Sequence, residues 1–559
     1  MLMKGGWHVK KLLILGMVFS LSALLVPAAV SAHQDNSFTY TATSGMFEDM
    51  YDFFKYSPAY LPSFEKNSFW SQLSNLESQN DRLFNDSGTD YYLIGGQHDL
   101  MGFGRAGVMF DWYGYAEPEY LTDFAGYSGY GFVEDSWREY RDNDSNGVYD
   151  HLRELYGHGE EYYRFNSNDV YVAYGMGDIA GLALGAAVRG IWESSDPSYY
   201  WNNPYDSNRG SFDWVGWEVE TDLLTGQRTH TVNEDGTGSW SYGESQWQLI
   251  LGARAEDLMG MMPDLDVVLN VYPILASAGN DLEWNFTRSE DFSPAIPNSN
   301  TDVWSYSVTG FDYSSGPYPA SGFGVGANLR VDYPLDPGVL MTGWINFETL
   351  GLTSQDANQK QVFNETERYP NGIYTQVDTT NQEINRIYDG KGSQNLVGAK
   401  VRFQFPANGW RLGVGINAST SDMRTEDMQY EYNYRNTFRR QFGQGDPTAD
   451  YTEVTTNSTK YKYTEIYTTD MLELPVGIIL DVLKNLSLQM GAVHVIEADG
   501  YSYKMGDRED VYQNTVRTYD NGMQTTSINT SDSNDAASQE SYVAVDHYNY
   551  FTFGATWWP

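Results

Sequence analysis

The sequence predicts an all-β protein, a transmembrane antiparallel up-and-down β-barrel of about 14 strands, with 12 or 16 as the neighbouring counts. Three observations predict it: short segments alternate apolar and polar residues, they come in pairs joined by tight turns with a long polar stretch after each pair, and an export signal opens the chain. The segment 410–419 is representative. Trp410, Leu412, Val414, Ile416 and Ala418 alternate with Arg411, Gly413, Gly415, Asn417 and Ser419. Successive side chains of a strand point to opposite faces, so this segment has one apolar wall and one polar wall.

Residues 1–32 read as a signal peptide. Lys4, Lys10 and Lys11 form its positive end, Leu12 to Val26 its apolar stretch, and Val30-Ser31-Ala32 a small-residue cleavage site. That stretch is short for a helix crossing about 30 Å of hydrocarbon. Residues 33–90 form an N-terminal segment holding a first strand, a periplasmic arm or a luminal plug. Ser37–Thr43 and Ser68–Leu76 are the strand candidates, and the second also fits a helix through Phe69, Leu73 and Leu76.

Residues 91–559 carry the barrel proper. The predicted hairpins pair Tyr91–Gln97 with Arg105–Tyr115, Asp169–Met176 with Gly181–Trp192, and Gln246–Glu256 with Leu265–Ile274. They continue with Gly322–Tyr333 and Val339–Thr349, Leu396–Phe405 and Trp410–Ser419, then Leu472–Leu480 and Leu486–Ile496. Gly, Pro, Asn and Asp sit at the reversals. Each strand is about the ten residues that a tilted membrane strand needs. Tyr548 to Trp558 makes a last strand, and an even total then requires one more before Tyr91. Short turns on one side and long extracellular loops on the other are the expected asymmetry.

The composition fits. Tyr and Trp are abundant, and overall hydropathy is polar despite the alternating segments, which a barrel tolerates because only alternate residues meet lipid. There is no cysteine, which excludes disulfides, thiolate metal sites and a lipid-bearing cysteine. A formal net charge of −41 excludes nucleic acid as a partner. On this pattern the chain resembles Gram-negative outer-membrane β-barrel proteins of the porin and transporter class. The C-terminal run from Tyr550 to Trp558, with aromatic residues alternating around Gly554, is similar to the signal read by barrel-assembly machinery, although Pro559 follows it. The resemblance implies export through the periplasm, outer-membrane localisation, and outer-membrane lipid and that machinery as partners.

The sharpest local motif is Asp142-Asn143-Asp144-Ser145-Asn146-Gly147-Val148-Tyr149-Asp150. Oxygens of Asp142, Asp144, Asn146 and Asp150, the Val148 carbonyl and Glu154 suit a wrapped Ca²⁺ site resembling EF-hand and thrombospondin type 3 loops. Arg153 stands where the bidentate acid belongs, and the alternative is a solvated Asp/Asn turn. No cofactor is required, and Ca²⁺ is the one candidate.

The inward faces carry Arg189, Arg254, Arg330, Lys400 and Arg402 opposite Asp111, Glu256, Asp332, Glu348, Glu473 and Asp481. These residues either line a water-filled pore and set its selectivity, or bridge one another in a narrow or plugged lumen. Inward Gly324, Gly326, Gly413 and Gly415 leave room for water or a plug, or permit the sheet to bend. Trp112, Trp192, Trp344, Trp410, Trp557 and Trp558 are read as interface girdles, and Tyr- and Thr-rich stretches between hairpins as β-extensions beyond the membrane. No catalytic constellation is apparent and an enzyme is not expected. A rim hydrolase would need His494 or His547 beside an acid. The expected function is an outer-membrane pore or diffusion transporter for small polar solutes, weakly cation-preferring. The alternative is a closed surface-binding or structural barrel with calcium-stiffened loops.

Overall fold

A computed structural model describes residues 38–74, 88–119, 121–124, 127–132, 134–142, 147–158, 160–179, 181–200, 212–257, 264–292, 304–315, 320–336, 338–370, 374–443, 450–505, 509–529 and 539–557. The signal peptide lies outside them.

The fold is all-β and antiparallel. Its main ladder follows chain order: β1 (Ser68–Ser74), β2 (Gly88–Asp99), β3 (Arg105–Glu119), β4 (Glu160–Ile179), β5 (Leu182–Tyr200), β6 (Arg228–Ala255) and β7 (Asp266–Phe292). It continues through β8 (Ala320–Asp336), β9 (Val339–Pro370), β10 (Tyr374–Ala407), β11 (Trp410–Gly443), β12 (Tyr451–Leu483), β13 (Leu486–Met505) and β14 (Gln539–Trp557). Each strand pairs with the next. Among the described residues no pairing joins β1 to β14, so the expected closed barrel is not what the structure shows.

The register puts like with like. Ala399 faces Ala418, Val401 faces Ile416, Phe403 faces Val414 and Phe405 faces Leu412 on one face of the β10–β11 pair. That face is open: Val397, Ile416, Phe323, Val325, Ile345, Leu249, Leu251, Leu269 and Val271 are all exposed. Apolar side chains repeated on one exposed face of strand after strand are foreign to a soluble sheet. Among the described residues no helix is long and apolar enough to cross a membrane.

Two expectations are refined. The long stretches between hairpins, expected as loops with Tyr- and Thr-rich β-extensions, are largely strand among the described residues: β9 and β10 remain paired from Leu340–Gln404 out to Pro370–Thr375. Their Thr, Gln, Asn and Tyr residues support the ladder without a hydrophobic period, so alternation alone reads them as loop. The strand candidate Ser37–Thr43 is helical over most of its described part: Phe38–Ala42 is a short helix, α1. The Thr43 hydroxyl donates to the Thr39 carbonyl at 2.7 Å, a local bond that competes with strand pairing. Ser68–Ser74 is the strand of the two candidates, paired along its length with β2.

A second helix, α2 (Met50–Tyr56), begins at a capping box in which Asp49 and Asp52 each accept the other's backbone N–H. A 3₁₀ turn, Pro58–Ser63, follows, with Ser57 as its cap. These pieces lie on the inner face of the sheet. Ala42 meets Thr552 on β14, Met46 packs on Gly413 of β11 and Gly477 of β12, and Ser57 bonds Asn270 on β7. Phe54 and Leu61 pack on Gly107 of β3. A segment this short touches strands from β3 to β14 because the sheet is rolled around it. The buried apolar core lies at this junction and includes Phe54, Leu61, Met109, Tyr171, Val268 and Ile274.

Candidate inner-face site

The site begins with one carboxylate. Glu48 enters from the segment between α1 and α2 and accepts from Arg330 at 2.9 Å and from Arg402 at 2.6 Å. All three side chains are buried, with Glu48 8 %, Arg330 2 % and Arg402 3 % exposed. Arg330 also donates to Asp332 at 2.7 Å, and both guanidiniums lie over the Trp344 ring, at 5.1 and 4.6 Å. Buried charge persists where it is paired and hydrogen-bonded. Here the charges bind the N-terminal segment to β8 and β10, and Gln404 adds a 2.6 Å bond to the Met46 carbonyl.

The opposite end of the segment repeats the device with signs reversed. Lys55 reaches Asp111 at 3.3 Å and Asp169 at 3.8 Å, while Arg189 clasps both carboxylate oxygens of Asp169 with its Nε–Nη2 edge, at 2.6 to 3.1 Å. Immediately after Lys55, Asn270 accepts from Ser57 at 2.6 Å and donates to the Tyr56 carbonyl at 3.1 Å.

Lys55 and Tyr56 of α2 help to line a cavity of about 190 Å³ together with Arg189, Trp344, Glu348 and Lys400. Tyr272 donates to Glu348 at 2.6 Å. The cavity is therefore polar and of mixed sign, with one wall from the N-terminal segment and the rest from β5 to β10. Its lining mixes carboxylates, cations, amides and hydroxyls.

The inward residues named from the sequence divide into groups. Arg189, Glu348 and Lys400 line the cavity, while Arg330, Asp332 and Arg402 lie in the ion network with Glu48. Arg254 pairs with Asp266 and Glu256 and stacks on Tyr60 at 4.9 Å. Glu473 accepts from Asn417 at 2.7 Å, and Asp481 accepts from Ser487 at 2.6 Å near the β12–β13 turn. Trp344 lies on the inner face of the sheet with Arg330 and Arg402 over its ring, which corrects its reading as a girdle residue.

Sequence reasoning missed Glu48, Lys55, Asp169 and Asn270. The signal for their location was present in glycine. Gly175, Gly185, Gly252, Gly413, Gly477 and Gly491 all face inward, and a Cβ at any of them would collide with residues 43–62. Gly326 instead makes room for the Tyr272 ring, and Gly324 for the neighbouring β9 backbone.

Part of the acidic loop is described. Asp142 accepts the Gly147 N–H at 2.6 Å, and Asp150 bonds His151 at 2.9 Å. Glu154 sits on the strand His151–His158 and pairs with Arg138 at 2.7 Å. Val148 is exposed, and Asp144 and Asn146 lie outside the described residues. Among the described residues no cluster of three or more His, Asp or Glu could hold a metal. His494 shares its face with His547, stacked at 6.0 Å, and bonds Asn549 at 3.0 Å. Glu497, on the opposite face, accepts from Tyr548 at 2.5 Å.

No protein-family model and no curated protein matches the chain. Among solved structures, the outer membrane protease OmpT from Escherichia coli is similar at 12 % identity over 60 % of this chain and 88 % of that one, with a TM-score of 0.15. A likeness at that level carries no argument about activity.

Proposed function

We propose that the chain is an outer-membrane β-barrel whose lumen is plugged near its short turns by residues 38–64, and that it admits small polar solutes into the cavity beside this plug. The exposed apolar faces of β5 to β13 support a lipid environment. The observation that carries the functional reading is the Glu48 ion network together with its Lys55 counterpart. Two sets of buried charges hold the segment across the inner face, where a freely open pore would hold water. Passage then requires the plug to shift, and the barrel conducts weakly at rest.

Single-channel recording tests this. The refolded mature protein is expected to give rare, small conductance steps, and Glu48→Ala frequent and larger ones. Large, stable open steps from the unaltered protein would overturn the plugged reading.

A further inference from the structure

The inner face above the plug has a second chemistry, on β12, β13 and β14. Gly477, Gly491 and Thr552 meet residues 42–46, which fixes the inward parity of these three strands. The register runs from there toward the long-connection side without a shift, so Glu465 and Tyr467 of β12, Glu497 and Tyr501 of β13, and Tyr542 and Tyr548 of β14 share that face.

Three of the rings form a continuous group, with Tyr467 and Tyr501 at 4.8 Å and Tyr501 and Tyr542 at 5.3 Å between centroids. Glu465 lies against them. Its Oε1 accepts from the Tyr501 hydroxyl at 3.3 Å. Its residue is only 7 % exposed, and its Oε2 is buried with no hydrogen-bond partner among the described residues. The inward positions of this parity over 463–473, 495–503 and 540–550 hold no Lys or Arg at all. No cation of these strands faces this carboxylate oxygen.

We infer that this wall is a binding site for small organic cations, of the quaternary or primary ammonium class. A buried carboxylate edge without a partner is stabilised by a positive charge, and tyrosine ring faces attract an ammonium group through their quadrupole. A neutral sugar would use the rings but leave the charge on Glu465 unmatched. The inference deepens the proposed function, since it rests on this face being luminal, and it names the class of solute taken from the long-connection side.

The test is calorimetric titration of the refolded full-length mature protein in detergent with choline and with 3,3-dimethylbutan-1-ol, which has the same shape and no charge. Choline is expected to bind at least about tenfold more tightly than the alcohol. Glu465→Gln is expected to weaken choline about tenfold and Tyr501→Leu by a similar factor, while Tyr501→Phe, which retains the ring, loses less. Equal binding of the two probes by the unaltered protein, or no saturable choline binding by folded protein, would overturn the inference. Binding is read without any passage across a membrane. Choline binding beside a failed conductance test therefore sinks only the transport reading, and absent binding beside the expected conductance sinks only this one.

Discussion

Replacing Glu48 with Ala tests how firmly the N-terminal segment is held. The substitution removes the shared acceptor of Arg330 and Arg402. Arg330 retains Asp332 at 2.7 Å. Arg402 retains only the Gly45 carbonyl, at 3.3 Å, and the Trp344 ring. Breaking one side of a buried ion pair costs about 3–5 kcal/mol, because the remaining charge stays desolvated. Most of that cost falls on Arg402, and docking of residues 38–64 weakens by roughly 10²- to 10³-fold. Amide hydrogen exchange across α2 reads this directly, and exchange is expected to accelerate by that factor while the strands of β9 to β12 keep their protection. Adding Arg402→Met should recover much of the loss, since removing both partners of a buried pair is far milder than removing one. Exchange in α2 that changes by less than about tenfold would refute the assignment of Glu48 as the main anchor.

Three further outcomes follow from the same structure. Gly107→Val places a Cβ against Phe54 and Leu61. It is expected to weaken plug docking by about 1–3 kcal/mol and expose residues 38–64 to limited proteolysis, with β3 and β4 still paired. Ile345→Arg puts a charge on an outward position that is 57 % exposed, a few residues from the β8–β9 turn. On a lipid-facing wall this costs about 2–4 kcal/mol, read as a lower midpoint for refolding into bilayers, whereas an unchanged midpoint would argue that β9 does not meet lipid. Glu465 lies on β12 beyond the apolar positions Leu474 and Val476, facing Tyr467 and Tyr501, and burial raises its carboxyl pKa above the ordinary 4.5. The folded chain then keeps this proton where the unfolded chain has released it. The stability it contributes is full below the ordinary pKa and is lost as pH rises through the higher folded value. Proteolysis of the outer β12–β13 hairpin is therefore expected to slow on acidification from pH about 7 to about 5, and Glu465→Gln should abolish that dependence.

What could be read from the sequence was local. Alternation over 396–405 and 410–419 marked both the strands and their outward faces, because a period of two is a property of the extended backbone itself. Asp336 and Gly338, and Asn408 with Gly409, marked reversals because Gly338 and Gly409 adopt positive φ there. The polar extensions of β9 to β12 escaped that reading, since strands solvated on both faces carry no hydrophobic period. The first strand, Ser68–Ser74, could be shortlisted, but only its pairing with Gly88–Asp99 chose strand over helix.

The inner-face site belongs to the tertiary structure. Glu48 lies 282 residues from Arg330 and 354 from Arg402 in the chain, and Tyr501 meets Tyr467 and Tyr542 only across strand registers. Inward glycines recorded that space had been left, and inward charges that partners were needed. Which atoms filled the space and matched the charges depended on rolling the sheet around its own N-terminal segment, because burial and Coulomb pairing act across space and leave no period along the chain.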